Sequence, residues 1–188
     1  SLSAFGGIIA LNKNCSADLA NEINRVFVEI VLAPSFDGEA LKVFSNKKNL
    51  RILETGDINK RKDKLEIRNL DGGMLVQDVD TSGLTMDELE VVTERSPTDR
   101  DFNTMFFGWK VLKHIKSNAI LLVKDNITVG VGGGQVSRVD AVDIAINKSG
   151  DKISESILCS DAFFPFRDSI DKISKTGVKA VIQPGGSI

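Results

Sequence analysis

Short apolar runs of strand type alternate with amphipathic stretches of helix type along this chain, and that alternation restricts the fold more than any other feature. Phe5–Leu11 reads as a strand, and Ser16–Arg25 as a helix with Leu19, Ile23 and Val26 on one stripe. Glu29–Ala33 is a strand closed by Pro34, Gly38–Ser45 a helix, and Leu50–Glu54 a strand. A charged hairpin region around Lys60-Arg61-Lys62-Asp63-Lys64 comes next, then a strand at Gly72–Val79. Ser96 and Pro97 suit an N-cap and a first helical residue. From there Phe102, Met105, Phe106, Trp109, Val111 and Leu112 predict a long amphipathic helix to about Ile115. Ala119–Val123 and Ile127–Val131 are strands joined by the tight-turn pair Asp125-Asn126. A helix from Ser137, a strand at Ile157–Cys159, a helix over Arg167–Lys175 and a strand at Val178–Gln183 complete the pattern. The expected architecture is three-layer α/β/α, with the linker-like stretch between Asp80 and Pro97 separating lobes at 1–80 and 81–188.

Bulk properties exclude several classes of function. A net charge of −2 argues against a broad electrostatic footprint for nucleic acid. Two cysteines and one histidine exclude a disulfide framework and argue against a Cys/His zinc site. No apolar run reaches transmembrane length and no secretory signal is present, so the chain reads as cytoplasmic, without a membrane partner. Both ends look cut inside a folded unit, which predicts a fragment truncated at its N- and C-termini.

Two segments stand out chemically. Ser160-Asp161-Ala162-Phe163-Phe164-Pro165-Phe166-Arg167-Asp168 crowds three rings around a proline and flanks them with charges. Such a segment suits stacking on a flat heterocycle whose polar edge is read by the charges; the alternative is a hydrophobic plug before a helix. Gly130-Val131-Gly132-Gly133-Gly134-Gln135 lets backbone N–H groups approach a ligand, or forms a glycine-rich turn without one. It fails as a dinucleotide fingerprint because Gln135 replaces the third glycine. Arg138 then opens a helix, where its charge opposes the helix dipole unless an anionic or carbonyl partner holds it.

These segments, with Gln183-Pro-Gly-Gly-Ser, Ser3-Ala-Phe-Gly-Gly, Val28-Glu-Ile-Val-Leu-Ala-Pro34, Gly72-Gly-Met-Leu-Val-Gln-Asp78 and Lys116-Ser-Asn-Ala-Ile120, resemble the transformylase domain of the bifunctional AICAR transformylase/IMP cyclohydrolase family of purine biosynthesis. The marks run from residue 3 to residue 188 in the family's order. The resemblance implies two cytidine-deaminase-like lobes and transfer of a formyl group from 10-formyltetrahydrofolate to the 5-amino group of 5-aminoimidazole-4-carboxamide ribonucleotide (AICAR). That amine is a poor nucleophile, so the reaction needs proton management and stabilisation of an oxyanion.

The family's site residues carry over as follows. Asn118 would hold the carboxamide and the attacking amine, as the one catalytic residue carried over. Gly6, Glu29, Arg138 and Phe163 would join it in lining the nucleotide pocket. Leu2, Phe5, Val139, Pro165, Phe166, Asp168, Ser187 and Ile188 would serve the folate. No metal is implied. Read without the family, Asn118 is equally a turn or cap residue, Asp168 a helix-terminal charge, Glu29 a strand-end charge and Phe163 core. The family's Lys-His pair is not in this chain, and Lys113-His114 sits instead at the end of a helix, in a packing role. The cyclohydrolase domain is absent as well, and a homodimer is implied. These expectations leave two functions open: a formyltransferase of which this stretch alone is inactive, or a binding module for nucleotide and folate without catalysis.

Overall fold

The computed structural model describes residues 5–58 and 65–186, and Leu2, Ser187, Ile188 and the Lys60–Lys64 cluster lie outside the described residues. The chain divides into two compact units, Ser1–Asp80 and Thr81–Ile188, each considered by itself below.

The first unit runs β1 (Ile8–Ala10), α1 (Ala17–Asn24), β2 (Ile30–Ala33), α2 (Gly38–Ser45), β3 (Arg51–Glu54), β4 (Leu65–Leu70) and β5 (Gly73–Asp78). The first three strands form a parallel sheet in the order β1-β2-β3, with Ile9, Val31 and Ile52 in register. Ser16 caps α1 by accepting the Leu19 N–H at 3.3 Å, as its position before an apolar stripe predicts. Val31 and Ala33 are fully buried against Ala20 and Ile23 of α1 and Ala40 and Phe44 of α2. Both helices therefore cover one face of the sheet. On the other face Ile30 and Leu32 are half-buried while Ile8 and Leu53 are exposed. The three-layer expectation is corrected here to two layers among the described residues. Strands β4 and β5 form a separate antiparallel hairpin with Ile67 opposite Val76.

The second unit contains a 3-10 turn (Met86–Glu88), α3 (Asp99–Leu112), β6 (Ile120–Lys124), β7 (Ile127–Gly132), α4 (Arg138–Ser149), β8 (Ile157–Ser160), α5 (Arg167–Ile173) and β9 (Ala180–Ile182). Its sheet has the order β7-β6-β8-β9, with β6 antiparallel to both neighbours and β8 parallel to β9. Side-chain alternation along β6 settles the layers. Leu121 and Val123 pack with Met105 and Leu112 of α3, whereas Ile120 and Leu122 pack with Ala141, Val142 and Ala145 of α4 and Ile173 of α5. This unit has three layers, as expected. Because both faces of β6 and β8 are covered, both strands read as continuous apolar runs rather than alternating ones.

Several boundaries differ from the sequence reading. Helix α3 is capped by Thr98, not Ser96, because Thr98 shares a capping box with Asp101, and it ends at Leu112 rather than Ile115. Strand β1 is shorter than Phe5–Leu11; Gly6, at φ +73°, turns Phe5 away from the ladder. Asp125 and Asn126 both take positive φ, as a tight hairpin turn requires.

Candidate functional site

The second unit's candidate site forms at the N-terminal end of β6, where three segments meet. Residues 116–119 enter the strand, residues 133–138 leave β7 for α4, and residues 160–166 leave β8 for α5. Backbone bonds lace the first two together: Asn118 N–H donates to the Gln135 carbonyl at 3.2 Å, Gln135 N–H to the Asn118 carbonyl at 3.3 Å, and Gly134 N–H to the Lys116 carbonyl at 2.5 Å. Asp161 N–H donates to the Ala119 carbonyl at 3.3 Å, which ties in the third.

Side chains then close a network across these segments. Asn118 Nδ2 donates to the Gln135 carbonyl at 2.9 Å and the Val136 carbonyl at 3.0 Å, so both amide hydrogens are engaged. Asn118 Oδ1 accepts from Arg138 Nη2 at 2.9 Å. Arg138 Nη1 donates to the Ala119 carbonyl at 3.2 Å and to the Asp161 carboxylate. Asp161 Oδ1 also accepts the Ala119 N–H at 2.9 Å. The Arg138 and Asp161 side chains are only 11% and 18% exposed, so this ion pair is largely desolvated. Burial pushes the Asp161 carboxyl up, but hydrogen bonds from Ser117, Arg138 and the Ala119 N–H, with the Arg138 charge, hold it below the usual carboxylate range.

The anionic and carbonyl partners that Arg138 needs at a helix N-terminus are thus Asp161 and Ala119, while Ser137 caps α4 by accepting the Asp140 N–H at 3.2 Å. Asp161 is the residue the sequence reading missed. The requirement for a partner was visible at Arg138; which acid met it was not, because 23 residues separate the two.

The aromatic segment divides its rings. Phe164 packs on the core that Ile120, Leu122 and Ile173 share, and its N–H donates to Gln183 Oε1 at 3.1 Å. Phe163 is half-buried, and Phe166 is 72% exposed beside an exposed Pro165. Asp168 is exposed in the first turn of α5, where its carboxylate accepts the Ser169 N–H at 2.6 Å. Val139 is half-buried at the start of α4. Val136 is 98% exposed, directly beside the carbonyls that hold Asn118.

In the first unit, Glu29 N–H donates to the Gly7 carbonyl at 2.9 Å, and the exposed Glu29 carboxylate lies over Gly6. A Cβ at Gly6 would stand 2.7 Å from Glu29 Oε2. Phe5 is exposed and stacks on Phe27 at 4.9 Å between ring centroids.

Other groups in the second unit look less like a site. His114 is exposed in the turn after α3, so the packing role expected of it is corrected. A polar cavity of about 230 Å³ lies at the opposite end of β6, but its charges compensate one another: Arg100 pairs with Asp125, and Lys179 with Asp101 at 2.9 Å. Among the described residues, no group of three or more His, Cys, Asp or Glu side chains is placed to hold a metal ion, and no helix is long and apolar enough to cross a membrane.

Comparison with known proteins decides the family. The model of the AICARFT/IMPCHase bienzyme family matches residues 1–148. The chain belongs to that family. Relatives named bifunctional purine biosynthesis protein PurH agree across the whole chain. The one from Oceanobacillus iheyensis is 46% identical over 185 residues, 98% of this chain and 36% of its own length. Those from Caldicellulosiruptor bescii and Bacillus cytotoxicus are 45% and 46% identical over 187 residues, covering 100% of this chain. The chain spans little more than a third of these relatives' length, 36% and 37% in the latter two.

Proposed function

We propose that this chain is part of a purine-biosynthesis enzyme and supplies residues for formyl transfer from 10-formyltetrahydrofolate to AICAR. The observation carrying this reading is the network that joins Asn118, Arg138 and Asp161, since these come from three separate segments of the family resemblance. In this reading Asn118 acts as an acceptor. Its amide hydrogens are already engaged, so the remaining lone pair of Oδ1 is what it offers an N–H of the attacking amine. Arg138 and Phe163 contact the nucleotide in the same unit, and the exposed Phe166, Pro165 and Asp168, with Val139, serve the folate. Gly6 and Glu29 are assigned to the nucleotide, and Phe5 to the folate, on the resemblance alone; so are Leu2, Ser187 and Ile188.

The two units would be cytidine-deaminase-like lobes, and the working form a homodimer. The 188 residues by themselves would not turn over, because the family's Lys-His pair is not among them. Removing a general acid-base group costs on the order of 10²–10⁴-fold.

The test is Asn118→Ala in a protein of the relatives' full length. Turnover should fall by about tenfold or more while the nucleotide KM changes far less, since an amide facing the attacking amine contributes as the transition state forms. A raised KM with intact kcat would refute the role.

A further inference from the structure

We propose that Asp161 is a positioning residue for the transferase site: through Arg138 it fixes the side-chain amide of Asn118 with the oxygen as the available acceptor. The inference rests on the reading of Asn118 proposed above, but its geometry is independent of that reading. Asn118 offers one chemistry with its amide as it stands and the opposite one with the amide flipped. Arg138 Nη2 faces Oδ1 at 2.9 Å, and a flipped amide would set an NH₂ against that guanidinium, donor against donor. The carbonyls of Gln135 and Val136 would then face an oxygen, acceptor against acceptor. The orientation is therefore set from both sides, provided Arg138 stays in place.

Asp161 is what keeps it there. Arg138 is the first residue of α4, where the helix dipole disfavours a cation, and its side chain is only 11% exposed. Without the carboxylate, an uncompensated guanidinium would remain in a desolvated position, and the least costly response is to swing it into water. That movement withdraws Nη2 from Asn118. Asp161 is itself held on two further sides, by Ser117 and by the Ala119 N–H, so the arrangement is set before any substrate arrives.

The variants are made in a protein of the relatives' full length. Asp161→Asn keeps an oxygen for the Ala119 N–H while replacing the charge and the second acceptor oxygen with a neutral NH₂; Asp161→Ala removes every acceptor. Asp161→Asn should lower kcat by about ten- to hundred-fold, and the nucleotide KM should rise with it because the displaced Arg138 is itself assigned to the nucleotide. In an Asn118→Ala background the same substitution should lower kcat by less than about twofold further, because the two residues act on that step as one unit. Full additivity there, or a raised KM with kcat intact, would overturn the proposal. A second readout needs no turnover. With asparagine labelled by ¹⁵N, the Asn118 side-chain amide, identified by its loss in Asn118→Ala, should move toward solvated values in both Asp161 variants. An unmoved resonance overturns the proposal even if Asp161→Ala unfolds, since Asp161→Asn preserves the strand-end bond. Absence of formyl transfer in the unsubstituted protein would instead sink the proposed function and leave the resonance to decide this inference.

Discussion

Gly132 at the end of β7 lies directly beneath the carbonyl of Ala141 in α4, so close that a Cβ placed on it would fall inside that oxygen. Gly130 stands in the same relation to the carbonyl of Ala145, one helical turn along. The glycines of this segment therefore do two jobs. Gly130 and Gly132 let α4 settle on the sheet, and that docking sets where Arg138 begins. Gly134, at φ +68°, forms the turn whose neighbours hold Asn118.

Gly132→Ala and Gly130→Ala should accordingly each destabilise the second unit by roughly 2–4 kcal/mol, because backbone cannot yield as a flexible side chain can. Gly185→Ala is the control: nothing lies within 4 Å of its would-be Cβ, and its effect should stay within about 0.5 kcal/mol. Urea unfolding of the three variants checks the contrast, and equal midpoints would refute it.

Much of this packing was legible beforehand, and the exceptions have physical causes. Helix α2 matches the expected Gly38–Ser45, and Ser137 caps α4, because both boundaries are local in their chemistry. The sequence points to Ser96 as the α3 cap, but Ser96 and Thr98 each precede an acid by three residues, so local pattern does not separate them. Tertiary structure chose Thr98: its partner Asp101 also pairs with Lys179, 78 residues on. Strand β4 falls just after the segment that reads as a charged hairpin region, and Leu65 and Ile67 alternate with Glu66 and Arg68 as a strand should. For the candidate site, the member residues of three motifs were visible, but their joining through Asp161 depends on sheet order. Only the placement of β6 between β7 and β8 brings these segments together.

Asp101 gives the second unit an acid-sensitive contact. Burial alone would raise its carboxyl, but the Thr98 N–H, Lys179 and the Thr98 hydroxyl hold it down at about 2. Its folded value lies below its unfolded one, so its stabilisation is present above the ordinary carboxylate range and is lost as pH falls toward 2. Asp101→Asn should cost roughly 1–2 kcal/mol at pH 7 and little near pH 2. Unfolding free energies of both proteins across that range should converge at the acid end; parallel curves would refute the assignment.

Cys159 sits on β8 facing Gly108 of α3, where a Cβ would collide with its sulfur. Burial pushes its thiol up to about 12. Cys15 is also fully buried, and burial followed by the Asp37 charge raises it as well. Thiolate is the reactive form, so neither cysteine should be labelled by a thiol reagent in the folded protein at pH 8, and both should react in denaturant. Rapid native labelling of Cys159 would mean that the α3–β8 contact opens far more readily than its packing implies.

The β4–β5 hairpin bears on the proposed homodimer. Leu65, Ile67, Met74 and Val76 share one of its faces by register, and each is more than half exposed, from 51% to 62%. An apolar strip of this kind on a two-stranded ribbon is poorly stable alone and is the sort of surface that association covers. Ile67 and Val76 are directly opposite one another, so Ile67→Lys with Val76→Glu replaces an apolar pair by an oppositely charged one and keeps cross-strand attraction. If this face is buried between copies, the double variant should raise the dimer dissociation constant by about tenfold or more, since each lost side-chain burial is worth about 1.5–3 kcal/mol. Light scattering over a wide concentration range, in a protein of the relatives' full length, provides the measurement. A variant that associates as strongly as the parent would place the dimer contact elsewhere.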